Sequence, residues 1–251
     1  MESIQSLLQI DAMGMHYREL NARLREAVRE GVERIDLHNV YGQRYLGTDL
    51  HCPVEIRIHG TPGNDLASFM DGPRIIVYGN AQDGCGNTMN GGEVIIHGRA
   101  GDATGHSMRG GKIYIRDEVG YRVAIHMKEY REQRPIVVIG GTAQHFLGEY
   151  MAGGVLVVLG LTLRCGERHT ANFIGTGMHG GVMYIRGEIA DSQLGKEVGQ
   201  VPLEDTDYQL LEGLVAEFAN HFGYDAQAIL DQPFTKLFPL SLRPYGRLYA
   251  Y

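Results

Sequence analysis

The chain has 251 residues, of which 35 are glycine, 8 proline and none tryptophan, and 43% are apolar. Glycine at about twice its usual share of about 7%, with few prolines, argues for a folded chain rich in tight turns, and the lack of a strict Gly-X-Y period excludes collagen. The charge balance, 23 basic against 30 acidic residues for a net −7, opposes a nucleic-acid role.

Three scattered cysteines, Cys52, Cys85 and Cys165, are too few for a disulfide framework or for the four thiolates of an ordinary iron–sulfur cluster. The first residues, Met-Glu-Ser-Ile-Gln, lack the basic n-region of a signal peptide. The longest apolar stretch, 152–163, is interrupted by glycine and is too short to span a bilayer. These features predict a soluble cytoplasmic protein with reduced thiols and no membrane association.

In chain order, an amphipathic helix comes first. Tyr17, Leu20, Leu24, Ala27 and Val28 recur at helical spacing, and Gly31 is placed to end the helix. From Arg34 short β runs follow, each closing near a glycine: 34–38, 54–59, 74–78, 93–97, 112–116, 136–139, 155–159 and 182–186. They keep a period. Gly60, Gly79 and Gly98 stand 19 residues apart, as do Gly72, Gly91 and Gly110, and Met70, Met89, Met108 and Met127. Met151 and Met178 repeat the local Met-x-Gly-Gly pattern at wider spacing.

One coil of this length cannot bury its own apolar face. Stacking coils about 4.8 Å apart pairs their strands in parallel and aligns equivalent side chains. The methionines then form an internal ladder, and the paired glycines turn corners that a Cβ would block. Val119–Arg134 and Cys165–Ala171 break the pattern as insertions, the polar 128–134 stretch being read as a helix or a protruding loop. After Ala190, Thr206-Asp-Tyr-Gln209 reads as a capping box opening a helix with Tyr208, Leu211, Leu214, Val215, Phe218 and Phe222 on one face. Gly223 ends it, a short helix follows over 225–230, and the tail from Phe234 is predicted to run extended over a surface. The two helical flanks are expected to cap the ends of the solenoid.

The candidate chemistry is sparse. Gly175-Thr-Gly-Met-His-Gly180 matches a dinucleotide fingerprint, but a strand of the repeat follows it where a helix is required, so it reads as a corner. His59 and His97, with Tyr78 between them, read as a same-face stack. His106, His126, His145, His169 and His179 fall around turns, without zinc spacing. Cys85 has no assignable base and reads as a small residue packed at a turn. Asp83 and Asp102, equivalent in consecutive coils, read as acceptors of turn amides. Arg243, Tyr245, Arg247, Tyr249 and Tyr251 fit an interface anchor and a tail docked on its own domain equally well.

The Met-x-Gly-Gly and Gly-x-Gly repeats of Arg34–Ala190, clearest over 72–111 and 151–186, resemble the GXGXG domain, a right-handed β-helix at the C-terminus of the glutamate synthase large subunit. Residues 35–49 resemble the family's opening coil. The Arg243-Pro-Tyr-Gly-Arg-Leu-Tyr-Ala segment resembles free-standing versions of the domain. The resemblance implies a non-catalytic structural subunit of a split glutamate synthase, which forms glutamate from glutamine and 2-oxoglutarate, or of a related amidotransferase assembly. The implied partners are a glutaminase-type chain and an FMN-binding chain, with FMN and the iron–sulfur cluster in those chains and no cofactor, metal or catalytic residue in this one. Self-association is compatible with this reading. One of the subunits of formylmethanofuran dehydrogenase shares the solenoid and supplies an alternative scaffold role. An independent enzyme would need acid–base residues gathered across coils. The expected organisation is a helical flank over 1–33, a right-handed parallel β-helix over 34–190, and a helix and tail over 191–251.

Overall fold

A computed structural model describes residues 7–240. The sheet contains β1 (Leu7–Asp11), β2 (Arg34–Tyr41), β3 (Glu55–Thr61), β4 (Arg74–Tyr78), β5 (Glu93–Ile96), β6 (Lys112–Ile115), β7 (Ile136–Ile139), β8 (Ala152–Val158) and β9 (Gly180–Arg186) in chain order, all neighbours parallel. Beyond β9 the direction reverses. β11 (Phe234–Pro239) pairs antiparallel with β9, and β10 (Val198–Val201) pairs antiparallel with β11. The chain is a β-solenoid, as the repeat predicts, with the predicted strands in place.

Register explains the irregular spacing. Glu55, Arg74, Glu93 and Lys112 are partners one coil apart, as are Ile136 and Val155, which sets a 19-residue coil. Beyond β3, Lys112 pairs with Ile136 and Val155 with Val182, so two coils are longer. The first surplus is the 128–134 stretch, an irregular loop pinned by a Tyr130–Gln133 bridge and containing no helix. The second lies around Leu161–Ala171 and carries the exposed Cys165. Both are extruded from the coil path, so the strands before and after them keep pairing.

Period-two alternation on each strand sorts side chains inward and outward. Ile56, Ile75, Val94, Ile113, Val137, Leu156 and Met183 stack in one inward column, and Ile58, Val77, Ile96, Ile115, Ile139, Val158 and Ile185 in another. Met70, Met89, Met108, Met127, Met151 and Met178 are completely buried and join the same core, so the predicted ladder is internal. Burial of each such side chain contributes about 1.5–3 kcal/mol. The glycine pair that follows Met89, Met108, Met151 and Met178 turns back toward the sheet. At Gly92 φ is +89° and a Cβ would stand 2.3 Å from the Pro73 carbonyl oxygen, so no side chain fits there.

The flanks depart from expectation at several points. Residues 7–11, within the segment read as a helical flank, form β1 and extend the sheet. α1 (Tyr17–Arg29) follows, places Leu20, Leu24 and Ala27 in the interior core, and ends at Gly31 with φ +81°. α2 (Asp205–Phe222) begins with Glu204 as cap, whose N–H donates to the Asp207 carboxylate at 2.7 Å. The predicted cap Thr206 therefore lies inside the first turn. Tyr208 is exposed, while Leu211, Leu214, Val215 and Phe218 pack on Tyr114, Val138, Val157 and Tyr184, the outward residues of β6–β9.

α2 thus lies across the sheet face instead of capping the end, because that stretch of the outer face is apolar. The end is closed by Ile189, Leu194, Val198 and Leu237. α3 (Ala226–Leu230), capped by Asp225, packs beside α2. The tail from Phe234 starts as β11, a paired strand where an extended surface segment was predicted. The reason is the unpaired edge of β9, which β11 covers.

Candidate functional site

The outer face of β2–β6 carries two ladders. Arg34, Glu55, Arg74, Glu93 and Lys112 occupy one register position and alternate in sign. Arg74 bonds Glu55 at 3.2 Å below and Glu93 at 2.8 Å above, and Lys112 reaches Glu217 of α2 at 2.6 Å. Four residues along each strand, His38, His59, Tyr78 and His97 stack with centroids 4.8, 4.9 and 5.1 Å apart, and His97 meets Phe222 of α2 edge-on. This is the predicted same-face stack, longer by His38 and Phe222. Burial, with Arg116 and His221 nearby, lowers the His97 pKa.

Under α2 sit two clusters that the sequence reading missed. The Glu217 carboxylate accepts from Lys112 and from the Tyr114 hydroxyl. The Asp207 carboxylate accepts from Lys236 at 2.6 Å and from the Tyr184 hydroxyl at 2.5 Å. Burial and the neighbouring carboxylate push both phenols well above the ordinary tyrosine range, so they remain donors. Each cluster clamps α2 to a strand through a charge-assisted bond. The one available signal was the i, i+2 pairing of Lys112 with Tyr114, which puts both on one strand face; the helix carboxylates lie too far along the chain to be matched.

The remaining candidates have local roles. The Asp83 carboxylate accepts the Asp102 amide at 2.9 Å, and the Asp102 carboxylate accepts the Tyr121 amide at 2.8 Å. These are the turn-amide acceptors predicted, reaching one coil onward. Cys85 is completely buried, and burial pushes its thiol up to about 12, far from a nucleophile's range. His169 is buried with a ring nitrogen 3.0 Å from the Arg186 carbonyl, and burial lowers its pKa. A His145 ring nitrogen accepts the Asn172 amide at 3.0 Å, and His179 contacts the Gly177 carbonyl at 3.0 Å. His106 and His126 stand 6.1 Å apart between ring centroids. Among the described residues no group of three or more His, Cys, Asp or Glu is placed to hold a metal ion. Gly175 and Gly177 turn a corner and Gly180 opens β9, so no helix follows the fingerprint. Arg243, Tyr245, Arg247, Tyr249 and Tyr251 lie outside the described residues. A groove of about 520 Å³ opens between α2, α3 and the start of β11, lined by Leu203, Tyr208, Leu211, Leu230 and Phe234; it belongs to the helical flank and spans no coils.

The side opposite to these ladders in each coil is the turn before the methionine. Three alternate residues there take positive φ: Asp65, Ala67 and Phe69; Gly84, Gly86 and Thr88; Ala103, Gly105 and Ser107; Arg122, Ala124 and His126. Their amides point in opposite directions by turns. The Gly84 and Thr88 amides donate onward to Asp102 and His106, while the Gly86 amide donates back to Leu66. The next coil repeats this, with Ala103 and Ser107 reaching Tyr121 and Ile125 and Gly105 reaching Cys85. Left-handed backbone costs an L residue about 1–2 kcal/mol, so alternate glycines suit this path.

The alternation is the physical content of a G-x-G-x-G pattern, and a GXGXG motif family matches residues 35–240. The chain belongs to the GXGXG family. It is also 47% identical over 249 residues, 96% of its length and 95% of the relative's, to the uncharacterized protein MJ1350 of Methanocaldococcus jannaschii. In this GXGXG protein the middle residue of each triplet faces the core, and the outer two project. Projecting side chains include Tyr45, Phe69, Tyr150 and Phe173, which are 37–54% exposed. Phe146 stacks on Phe173 at 4.9 Å, Arg122 lies over Phe146 at 5.0 Å, and Tyr150 stacks on His126 at 5.2 Å. These exposed aromatics are gathered on one face of the solenoid. No helix among the described residues is long and apolar enough to cross a membrane.

Proposed function

We propose that this chain is a non-catalytic structural subunit of a glutamate synthase-type assembly, holding a glutaminase-type chain and an FMN-binding chain in fixed relation. The observation that carries the reading is how the polar side chains of the solenoid are used. Asp83, Asp102, Arg74, Glu93 and Lys112 are engaged in contacts between coils or with α2, while an aromatic face projects into solvent. Such a body is stiff along its axis and presents a surface to others, which suits a spacer. The likeness of its repeats to the glutamate synthase domain supplies the assembly. Ammonia released at one site must reach another without escaping to water, and a rigid element between the two sites serves that need. FMN and the iron–sulfur cluster belong, on this reading, to the partner chains.

The test is reconstitution. Affinity capture of the tagged full chain from its native cell should recover a glutaminase-type and an FMN-type chain. Recombining these partners with this chain should raise glutamine-dependent glutamate formation while leaving ammonia-dependent formation unchanged. Full glutamine-dependent rate in its absence, or capture of molybdenum or tungsten dehydrogenase chains, would overturn the proposal.

A further inference from the structure

The groove between α2, α3 and the start of β11 has an apolar floor and an acidic rim. Leu203, Leu230 and Phe234 pack on the cluster beneath α2 but are only partly buried, and Tyr208 is 55% exposed at the mouth. Tyr208, Leu211 and Glu212 share one face of α2, being three and four residues apart. Glu212 and Asp231 stand exposed at the rim. Asp231 accepts from the Gln227 side-chain amide at 2.8 Å, and Glu212 has no hydrogen-bond or ion-pair partner among the described residues. The charge of this flank is one-sided. From Glu197 to Thr235 the chain holds eight acidic residues and no lysine or arginine, against a net charge of −7 for the whole. Lys112 and Lys236 answer Glu217 and Asp207, but no cation reaches the groove rim.

The segment beyond the described residues has the opposite character. Residues 241–251, Ser-Leu-Arg-Pro-Tyr-Gly-Arg-Leu-Tyr-Ala-Tyr, carry Arg243 and Arg247 and no acid, with Leu242, Leu248 and three tyrosines. We propose that this segment returns to fill the groove of its own chain, with Leu248 and Tyr249 on the apolar floor and Arg247 against Glu212 and Asp231. Chain length sets that register. β11 starts at the groove with Phe234 and leads away from it to Pro239, and the Leu240 amide donates to the Glu197 carbonyl at 2.8 Å. A strand of that length covers about 20 Å, so about six residues are needed to come back. Residues 241–246 supply them, and Arg247 is the first to arrive at the rim.

The guanidinium fork suits a carboxylate rim, and the leucine and tyrosine side chains cover the half-exposed Leu203, Leu230 and Phe234. A tethered segment meets its groove at an effective concentration of about a millimolar, which favours it over the same segment from another chain. The proposal draws on no partner chain, so it stands or falls separately from the assembly proposed above.

The chain has no tryptophan, so Tyr249→Trp places a single indole on the segment. In the full chain its emission should be blue-shifted from that in urea and shielded from acrylamide, equally at all protein concentrations. Reversing the rim with Glu212→Arg and Asp231→Arg should weaken docking at least about tenfold, read as a red shift and lost shielding. Adding Arg243→Glu and Arg247→Glu to that variant should restore both, because each attraction returns with its signs exchanged. A purely local role for the rim carboxylates in α2 and α3 cannot produce that rescue. Should the indole be too large for the groove, tryptic cleavage after Arg247 gives a second reading without it: the rim-reversed chain should be cut at least about tenfold faster than the wild type. An indole as exposed as in urea, together with cleavage indifferent to the rim, would overturn the proposal. So would failure of the charge exchange to restore shielding, or shielding that grows with protein concentration, which would seat the segment on a second copy.

Discussion

Gly84 and Gly86 share one turn and nearly one backbone conformation, φ +70° at both, yet alanine should cost very different amounts at the two positions. A Cβ on Gly84 projects outward, and its nearest neighbour is the movable Asp65 carboxylate oxygen at 2.9 Å. The next coil already carries Ala103 at the equivalent place with φ +53°. Only the left-handed penalty of about 1–2 kcal/mol remains. A Cβ on Gly86 projects inward and would stand 2.3 Å from Ile113 Cδ1, inside the packed core. The same penalty then adds to an overpacking cost of about 1–3 kcal/mol. Gly86→Ala should therefore be about 2 kcal/mol less stable than Gly84→Ala, which for a chain of this size is about 4–8 °C in melting temperature. Thermal melts followed by circular dichroism measure the difference. Equal shifts, or a larger one for Gly84→Ala, would refute the assignment of one position to the surface and the other to the core.

Three further outcomes are expected. Met108→Ala should lose about 2–5 kcal/mol in urea unfolding and Met108→Leu under about 1.5, because the first leaves a cavity in the ladder and the second conserves volume. Lys236→Met leaves the Asp207 carboxylate, 9% exposed, without its cation and should cost about 3–5 kcal/mol by the same assay. Burial alone would raise the Asp207 pKa, but bonds from Lys236, Tyr184 and the Glu204 amide outweigh it and hold it below the ordinary 3.8. Its stabilisation is therefore present above about pH 4 and disappears as pH falls through the depressed value; Lys236→Met should flatten that acid limb in pH-dependent melts. Finally, a thiol reagent at pH 8 should modify Cys52 and Cys165 in the native protein and reach Cys85 only in denaturant; three reactive thiols in the folded chain would contradict the buried assignment.

The solenoid was legible because stacking writes itself into the sequence as a fixed interval. The methionines and corner glycines carry that interval, and the strands fall between them. β1, β10 and β11 escaped because they lie outside it: five, four and six residues, without a repeat to mark them. The seat of α2 was hidden for a different reason. Its apolar face was plain, but only the outward residues of β6–β9 reveal what it covers, and that needs the register. The aromatic face was invisible for the same reason, since Arg122, Phe146 and Phe173 are 24 and 27 residues apart and touch only once the insertions have been looped out.

The sign-alternating ladder on the outer face gives the solenoid a parity. Excising residues 74–92 would remove one coil and set Glu55 against Glu93, carboxylate on carboxylate. Excising 74–111 would remove two and set Glu55 against Lys112, restoring attraction. Over this stretch, length can therefore change by even numbers of coils with the electrostatics intact, in increments of about 9.6 Å, whereas an odd change leaves a fault in the lattice.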